Sequence, residues 1–419
     1  MKVMLVGGGA REHTLAWKIS RSERVKDIYV APGNAGTARI AKNLDIPVTD
    51  LDGLCRAARE SKVDLVVIGP EAPLAAGIVD KLRSIGIPAF GPSKNAAAIE
   101  ASKVYAKRLM HKYGIPCAKD AVFTSFKEAE SYVKKQSIPV VVKADGLAAG
   151  KGAIVAQSMD EALQALSDIM EKRVFGDAGN QVLVEECLVG RETSLLAFTD
   201  GETVVPMVSA RDYKRALDGD MGSNTGGMGC YSPSKFLDKE SQDKAVKNIV
   251  LPVVKAMAQE GRPYKGVLYT GLMLTAEGPK VLEFNARFGD PETQVQLPLL
   301  KSDLVDIMLA VIEGDLAKIK VEWSNDSCVG VVMASGGYPG NYKQGFPITG
   351  LDKIDKGMLV FHAGTKVDNG RIVTAGGRVL TVVATGRTRA QAREKVYRYL
   401  PGISFDNCHY RKDIAAEEG

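Results

Sequence analysis

The sequence predicts a multidomain α/β and α+β protein, with a parallel-sheet N-terminal domain, a mixed core carrying a small subdomain, and a β-rich C-terminal domain. Three observations predict it. The 419 residues exceed what one hydrophobic core supports, roughly 250–300. Short apolar runs alternate with helix-period segments over the first hundred residues, the pattern of a parallel sheet covered on both faces. After Trp323 the chain begins afresh with strand-like segments. Domain limits are therefore expected at 1–101, 102–324 and 325–419.

Composition narrows the class. Hydrophobic residues at 45% with 25% charged residues fit a globular chain and not a disordered one. The net charge of +5 is spread without a Lys/Arg-rich block, so no nucleic-acid footprint is expected. No stretch is long and apolar enough to span a bilayer. Met1-Lys2 runs straight into a strand without the apolar region of a secretory signal, and a cytoplasmic location is expected. Cys55, Cys117, Cys187, Cys230, Cys328 and Cys408 form no C-x-x-C pair and read as reduced, mostly buried thiols. The four histidines stand apart from them, so no zinc site is expected.

Strands are expected at 3–6, 27–31, 65–68 and 89–90, with a helix at 12–20. They end in Gly7-Gly8-Gly9, Pro32-Gly33-Asn34, Gly69-Pro70-Glu71 and Gly91-Pro92. Ligands of parallel sheets bind beyond the carboxyl ends of the strands, where these loops gather. Glu12 stands where a dinucleotide fingerprint has its third Gly or Ala, and the second strand lacks a ribose-gripping acid. The first loop thus reads as a single-phosphate site helped by Arg11, and a nicotinamide-dependent dehydrogenase is disfavoured.

A helix at 103–113 leads to strands at 140–143, 153–156 and 182–185, with a helix at 159–172 between the last two. Lys143-Ala144-Asp145-Gly146-Leu147-Ala148-Ala149-Gly150-Lys151-Gly152 is not a Walker A loop, which needs four residues between its glycines and a Ser or Thr after the lysine. It reads as a glycine-rich hairpin whose backbone can approach phosphate oxygens while Lys143 and Lys151 neutralise them. The apolar strand before Glu185 and Glu186 can offer main-chain groups and a carboxylate to an adenine edge, with Leu188 against the ring. Glu192 is placed for ribose hydroxyls.

Side chains alternate along a strand at 281–288, so Glu283, Asn285 and Arg287 are expected on one face, with Leu282, Phe284 and Phe288 in the core. Glu283 and Asn285 then offer hard oxygen ligands to Mg²⁺, and Arg287 a clamp for an anionic intermediate. Asp290 reads as the N-cap of a helix starting at Pro291, its amide end turned to phosphate. Asp212-Tyr213-Lys214-Arg215 and Asn224-Thr225-Gly226-Gly227-Met228-Gly229 complete the set, the second as a nest of backbone N–H groups suited to an oxyanion or carboxylate. No Ser sits in a G-x-S-x-G elbow, and His13, His111, His362 and His409 lack evident triad partners. His362 reads as a packed structural histidine. Tail strands are expected at 328–334, 358–363 and 378–385, and a helix at 389–400.

A glycine hairpin with lysine, an acidic adenine strand and a Glu-x-Asn metal strand together resemble the ATP-grasp superfamily. GGGAREH at 7–13, APGNAGT at 31–37, GPEAPL at 69–74, KADGLAAGKG at 143–152, NTGGMG at 224–229 and EFNARFGDPETQ at 283–294 resemble, more closely, the phosphoribosylamine–glycine ligases. GGYPG at 336–340 and FHAGT at 361–365 extend the resemblance through the tail. It implies a pre-ATP-grasp N-terminal domain, an ATP-grasp core with a lid subdomain at about 120–190, and a C-terminal domain closing the cleft. The implied activity joins glycine to 5-phosphoribosylamine with ATP, in purine biosynthesis. The implied nucleotide site is Lys103, Lys143, Gly146, Gly150, Lys151, Gly152, Glu185, Glu186, Leu188 and Glu192, with Mg²⁺ or Mn²⁺ on Glu283 and Asn285. The implied substrate site is Gly9, Arg11, Pro32, Gly33, Asn34, Gly69, Pro70, Glu71, Thr225, Gly226, Gly227, Gly289 and Asp290. Lys143, Arg287, Asp212 and Lys214 take the implied catalytic roles. Ser223 departs from the Pro common in the family, at a loop flank. Small-molecule partners and a monomer are expected. The rivals are another ATP-grasp enzyme, such as a biotin-type carboxylase, and a non-catalytic nucleotide-binding protein.

Overall fold

A computed structural model describes residues 1–148, 152–353, 355 and 357–416. The N-terminal sheet is parallel, in the order Lys42–Asn43, Asp27–Pro32, Lys2–Gly7, Leu65–Ile68, Ala89–Phe90. Its central strands read as unbroken apolar runs because both faces are covered. Met4, Val6, Val66 and Ile68 enter one core, which continues into Leu195, Ala197, Leu268, Val281 and Phe284. Val3, Leu5, Leu65 and Val67 enter a second core with Leu15, Ile19, Leu196, Phe198 and the helix Leu304–Glu313. The first strand pair and the central sheet are therefore tied through shared cores. Strand Lys42–Asn43 escaped the sequence because two polar residues carry no periodicity.

The central antiparallel sheet runs Val204–Pro206, Arg191–Thr199, Gly266–Thr275, Gly278–Asn285. One face packs into the first core. The other presents Glu192 and Ser194 beside Met273, Gly271 and Tyr269, which in turn oppose Glu283 and Asn285. The last strand differs from expectation. Gly271 pairs with Glu283 but Leu272 with Val281, so Leu282 is the extra residue of a bulge. The bulge puts Val281 and not Leu282 in the core with Phe284. The strand stops at Asn285, and Arg287 lies in the turn beyond it.

A small antiparallel sheet, Asp120–Phe123, Val182–Glu186, Val140–Ala144, Ala153–Ala156, carries the helices Phe126–Val133 and Met159–Met170. It has its own core, including Val142, Leu166, Ile169 and Val184. The last large sheet joins Arg211–Asp212, Gly229–Ser232, Ser327–Ala334, Arg378–Gly386 and Met358–His362, so strands from both sides of position 325 share it. The helix Arg389–Tyr399 packs against it through Ala392 and Val396.

This sheet returns to the N-terminal domain at a buried histidine pair. The His362 amide donates to His13 Nδ1 at 2.8 Å, and Asn34 Nδ2 donates to the His362 carbonyl at 2.7 Å. Burial, reinforced by His362 and Arg39, lowers His13 to about 3. His362 is packed, as expected, and burial lowers it to about 4. Two thiols, Cys230 and Cys328, are buried; the other four are half-buried, contrary to expectation, because they lie at element ends and surface helices. Among the described residues no helix is long and apolar enough to cross a membrane.

Candidate active site

The Gly/Pro loops lie at the carboxyl ends of the parallel strands, and Glu12 fills the space between the first, Gly7-Gly8-Gly9, and the third, at Gly69. It is 2% exposed; its carboxylate accepts from the Gly9 amide at 2.7 Å and from Arg11 Nε at 2.6 Å. A side chain at Gly69 would strike it at 2.1 Å. The carboxylate thus occupies the cradle in which a dinucleotide pyrophosphate would lie, which is the physical content of the missing third glycine. Arg11 is buried and also donates to the Phe288 carbonyl at 3.2 Å. Asn34 ties its own loop, accepting from the Gly36 and Thr37 amides and donating to Gly8 O. Gly33 adopts φ +74°, and Pro32 and Pro70 shape the turns beside it.

Arg287 links this edge to the strand Gly278–Asn285. Its guanidinium lies 3.3 Å from Glu71, 3.8 Å from Glu100 and 3.2 Å from Asn285 Oδ1, and it shares the Phe288 carbonyl with Arg11. Glu100, which the sequence did not mark, accepts from the Ala286 amide at 2.6 Å and closes the turn after the strand. Burial pushes its carboxyl up to about 7 against the pull of Arg287, with Glu71 adding to the rise. Burial also raises Glu71, but Arg287 and Arg11 outweigh it and hold that carboxyl below its ordinary value.

Glu283 sits on the open face opposite Gly271, where the absent side chain leaves it room. Among the described residues its carboxylate forms no hydrogen bond or ion pair. Burial pushes it up, but Lys214, Lys143, Lys103 and Arg287 together hold it below its ordinary value. An ionised, unpartnered carboxylate beside the amide oxygen of Asn285 fits a hard divalent cation with oxygen ligands.

The lysines around Glu283 come from three elements. Lys143, at the end of its strand, bridges Glu185 at 2.8 Å and the bulged Leu282 carbonyl at 3.0 Å. Lys103, first residue of the helix Lys103–Lys112, donates to Gly146 O at 2.9 Å. Asp145 accepts from Ser102 and the Val104 amide, so the start of the hairpin is anchored on that helix. Gly146, with φ +156°, lies against Ala178, and Gly152 returns to strand position beside Ala144. The hairpin expected between the two strands is present; Gly150 and Lys151 lie outside the described residues. Glu185 is buried and held from its other side by Lys107 at 3.4 Å, a residue that the sequence reading missed. Glu186 faces the opposite way and accepts from the Lys119 amide; Leu188 is half-buried beyond the strand end.

On the far side, Lys214 pairs with Glu192, and this and other acids raise its ammonium well above the ordinary value against the cost of burial. Glu292 is buried and accepts from Tyr269 Oη at 2.9 Å and Ser194 Oγ at 3.2 Å. Burial and the Glu292 charge push Asp212 well above the carboxylate range, and its Oδ1 has no hydrogen-bond partner among the described residues.

Two expectations fail here. The helix after the strand Gly278–Asn285 is Glu292–Gln296, with Pro291 at the cap position. Asp290 is no N-cap: its Oδ1 is taken by Gln294 at 2.7 Å and Arg378 at 3.2 Å. A five-residue helix opening on the buried carboxylate of Glu292 offers phosphate no amide end. Gly289 packs so closely on Glu292 that a Cβ would meet its carboxylate at 2.4 Å. The 224–229 nest is also closed. The Thr225 amide donates to Lys214 O, Gly226 to Tyr338 Oη, Gly227 to Thr225 Oγ1 and Met228 to Tyr213 O. Gly227, at φ +109°, fits between Pro291 and Asp212, where a Cβ would lie 2.4 Å from proline. Arg378, from the last sheet, pins the loop through Gly226 O and Asp290 O. Its arrival from 150 residues away carries no local signal.

Comparison with known proteins accords with this geometry. Family models described as the N domain, the ATP-grasp (A) domain and the C domain of phosphoribosylglycinamide synthetase match residues 1–100, 101–293 and 328–417. The chain is 51% identical to the phosphoribosylamine–glycine ligase of Caldanaerobacter subterraneus, over 99% of this chain and all of that one. It is 50% identical to the ligase of the same name from Halalkalibacterium halodurans, over 100% of this chain and 97% of that one. The crystal structure of phosphoribosylamine–glycine ligase from Thermotoga maritima superposes with a TM-score of 0.88 at 36% identity, covering 99% of this chain and 100% of that one. With all three segments matched and half the residues shared along its full length, the chain belongs to the phosphoribosylglycinamide synthetase family.

Proposed function

We propose that the protein is the ATP-dependent ligase that joins glycine to 5-phosphoribosylamine in purine biosynthesis, and that its chemistry runs through a glycyl phosphate. The observation that carries this reading is Glu283: an ionised, unpartnered carboxylate ringed by Lys103, Lys143, Lys214 and Arg287. Such a ring suits a triphosphate with its divalent ion.

A carboxylate is a poor electrophile at neutral pH. In the first step a glycine carboxylate oxygen attacks the γ-phosphorus; the bond to ADP breaks and a mixed anhydride forms. In the second the amine nitrogen attacks the anhydride carbonyl, and phosphate leaves with the former carboxylate oxygen. The chain does little covalent work; positioning and charge neutralisation supply the rate. Glu283 and Asn285 would hold Mg²⁺ or Mn²⁺, whose charge neutralises the transferring phosphoryl oxygens when bound. Lys143 and Lys103 reach the phosphates once Lys143 leaves Glu185, which turns to the nucleotide with Leu188 and Glu192 at its flank; Glu186, its side chain turned to the Lys119 amide, offers main-chain groups only. Arg287 orients the acyl phosphate, and Lys214 keeps Glu192 in place. Asp212, basic for a carboxylate, takes the proton that the attacking amine loses. Gly9, Arg11, the Pro32, Gly33 and Asn34 turn, and Gly69, Pro70 and Glu71 hold the sugar phosphate. Thr225, Gly226, Gly227, Gly289 and Asp290 wall the glycine side.

The small sheet, with its own core, acts as a lid of about residues 120–190 that excludes water from the anhydride. The domain limits at 1–101, 102–324 and 325–419, a monomeric state and a cytoplasmic location belong to the same reading. The test is ADP release with Mg-ATP, glycine, and phosphoribosylamine formed in situ from ribose 5-phosphate and ammonia. Release that needs both glycine and the amine supports the proposal; release indifferent to either one overturns it.

A further inference from the structure

Five residues separate His111 from Cys117 and two separate Cys117 from Asp120, and the fold brings all three side chains together. The helix Lys103–Lys112 ends at Gly114, φ +66°, and the chain turns back so that the Ile115 amide reaches Met110 O. Pro116 O then accepts from the Val281 amide at 2.9 Å, which fixes Cys117 beside the metal strand. Asp120 opens the first strand of the small sheet, in register with Glu185. As a result His111, Cys117 and Asp120 each present a donor atom within 4.8 Å of the other two. The sequence expectation that histidines and cysteines stand apart fails at this one place.

We propose that His111, Cys117 and Asp120 form a binding site for a zinc-class divalent cation at the root of the small sheet. An imidazole, a thiolate and a carboxylate make a borderline-soft set that suits zinc or cobalt, whereas Glu283 and Asn285 offer only hard oxygens. With bonds of about 2.0–2.3 Å, tetrahedral ligands stand about 3.3–3.7 Å apart, so the three donors need shift by only about an ångström. His111 Nε2 and Asp120 Oδ1, now hydrogen-bonded at 2.6 Å, open to admit the ion. The His111 side chain is 54% exposed, which gives the ion an entry path and leaves a fourth corner for water. The competing cation is Lys107, 3.6 Å from Asp120 and 3.4 Å from Glu185. An ion that takes the Asp120 charge therefore leaves Lys107, which also donates to Ala118 O at 2.8 Å, with Glu185 as its remaining carboxylate, and couples the root of the small sheet to the nucleotide side.

The test is a Co²⁺ titration of the full chain, reduced with a phosphine and held in excess Mg²⁺ so that oxygen sites stay filled. One equivalent should produce thiolate-to-cobalt absorption in the near ultraviolet and tetrahedral bands in the visible. Both signals should vanish in Cys117→Ser and in His111→Ala, whose exposed side chain is not needed for folding. Asp120→Asn should weaken binding by at least about tenfold, the scale on which even an outer partner of a metal site is felt. Absence of the bands, or bands that survive His111→Ala, overturns the site.

Discussion

Two carboxylates that share Lys214 as a neighbour live in opposite surroundings. Glu283 and Asp212 are both half-buried, and Lys214 acts on both. Around Glu283 three further cations, Lys143, Lys103 and Arg287, overcome the cost of burial and keep the group ionised. Around Asp212 the neighbours include Glu292 and Glu192, so burial and like charge outweigh Lys214 and Arg378 and the group holds its proton far longer. The difference teaches that burial alone assigns no role. The sign of the surrounding charge lowers the proton affinity of one carboxylate and raises that of the other.

The largest effect should come from the ionised side. Glu283→Ala should lower kcat/KM by at least about a thousandfold, roughly 4 kcal/mol, with an unchanged circular dichroism spectrum. Near-normal turnover of the folded variant would break the comparison. On the other side, Asp212→Asn freezes the neutral form. It should lower kcat about a hundredfold while leaving KM for ATP unmoved, and thermal stability should not fall. A changed KM for ATP with intact kcat would mean that Asp212 serves binding instead.

Arg378 tests whether the last sheet shapes the proton-carrying side. Arg378→Ala removes the clamp on Gly226 and Asp290. Loss of such charged hydrogen bonds is worth about 2 kcal/mol, so KM for glycine should rise roughly tenfold or more, while KM for ATP stays fixed. Equal changes in both constants would place the clamp in the fold and not in the site.

A separate effect, on stability and not on turnover, lies away from these residues, where the same electrostatic rule governs a base. His13 is neutral in the folded protein down to about pH 3, against 6.5 in the unfolded chain. Between those values the unfolded state binds the extra proton, so stability is lost as pH falls from 6.5. By pH 4 the loss is on the order of 3 kcal/mol. His13→Gln can still accept the His362 amide and should flatten this slope in denaturant titrations; an unchanged slope would assign the acid sensitivity elsewhere.

How much of this was legible in the sequence depended on range. Leu65–Ile68 and Ala153–Ala156 were read to the residue, because apolar runs bounded by turn residues need no partner to be recognised. Glu283 and Asn285 were legible through alternation, and the glycine hairpin through its composition. The bulge at Leu282 was not, because a bulge exists only against a partner strand, here Gly271 and Leu272. Glu100, Lys107, Glu292 and Arg378 act through contacts with distant segments, and each looks ordinary in its own window. The closed nest at 224–229 shows the converse. Its glycines were visible, but the acceptors that occupy its amides, Tyr338 and the carbonyls of Lys214 and Tyr213, were not.

The central claim, that ATP activates the carboxylate by phosphoryl transfer, is tested most directly by following oxygen. Glycine labelled with ¹⁸O in both carboxylate positions is turned over with Mg-ATP and phosphoribosylamine, and the released phosphate is examined by mass spectrometry or ³¹P nuclear magnetic resonance. The account predicts one ¹⁸O in each phosphate and one in the amide carbonyl of the product. Phosphate free of the label, with product still formed, would contradict it.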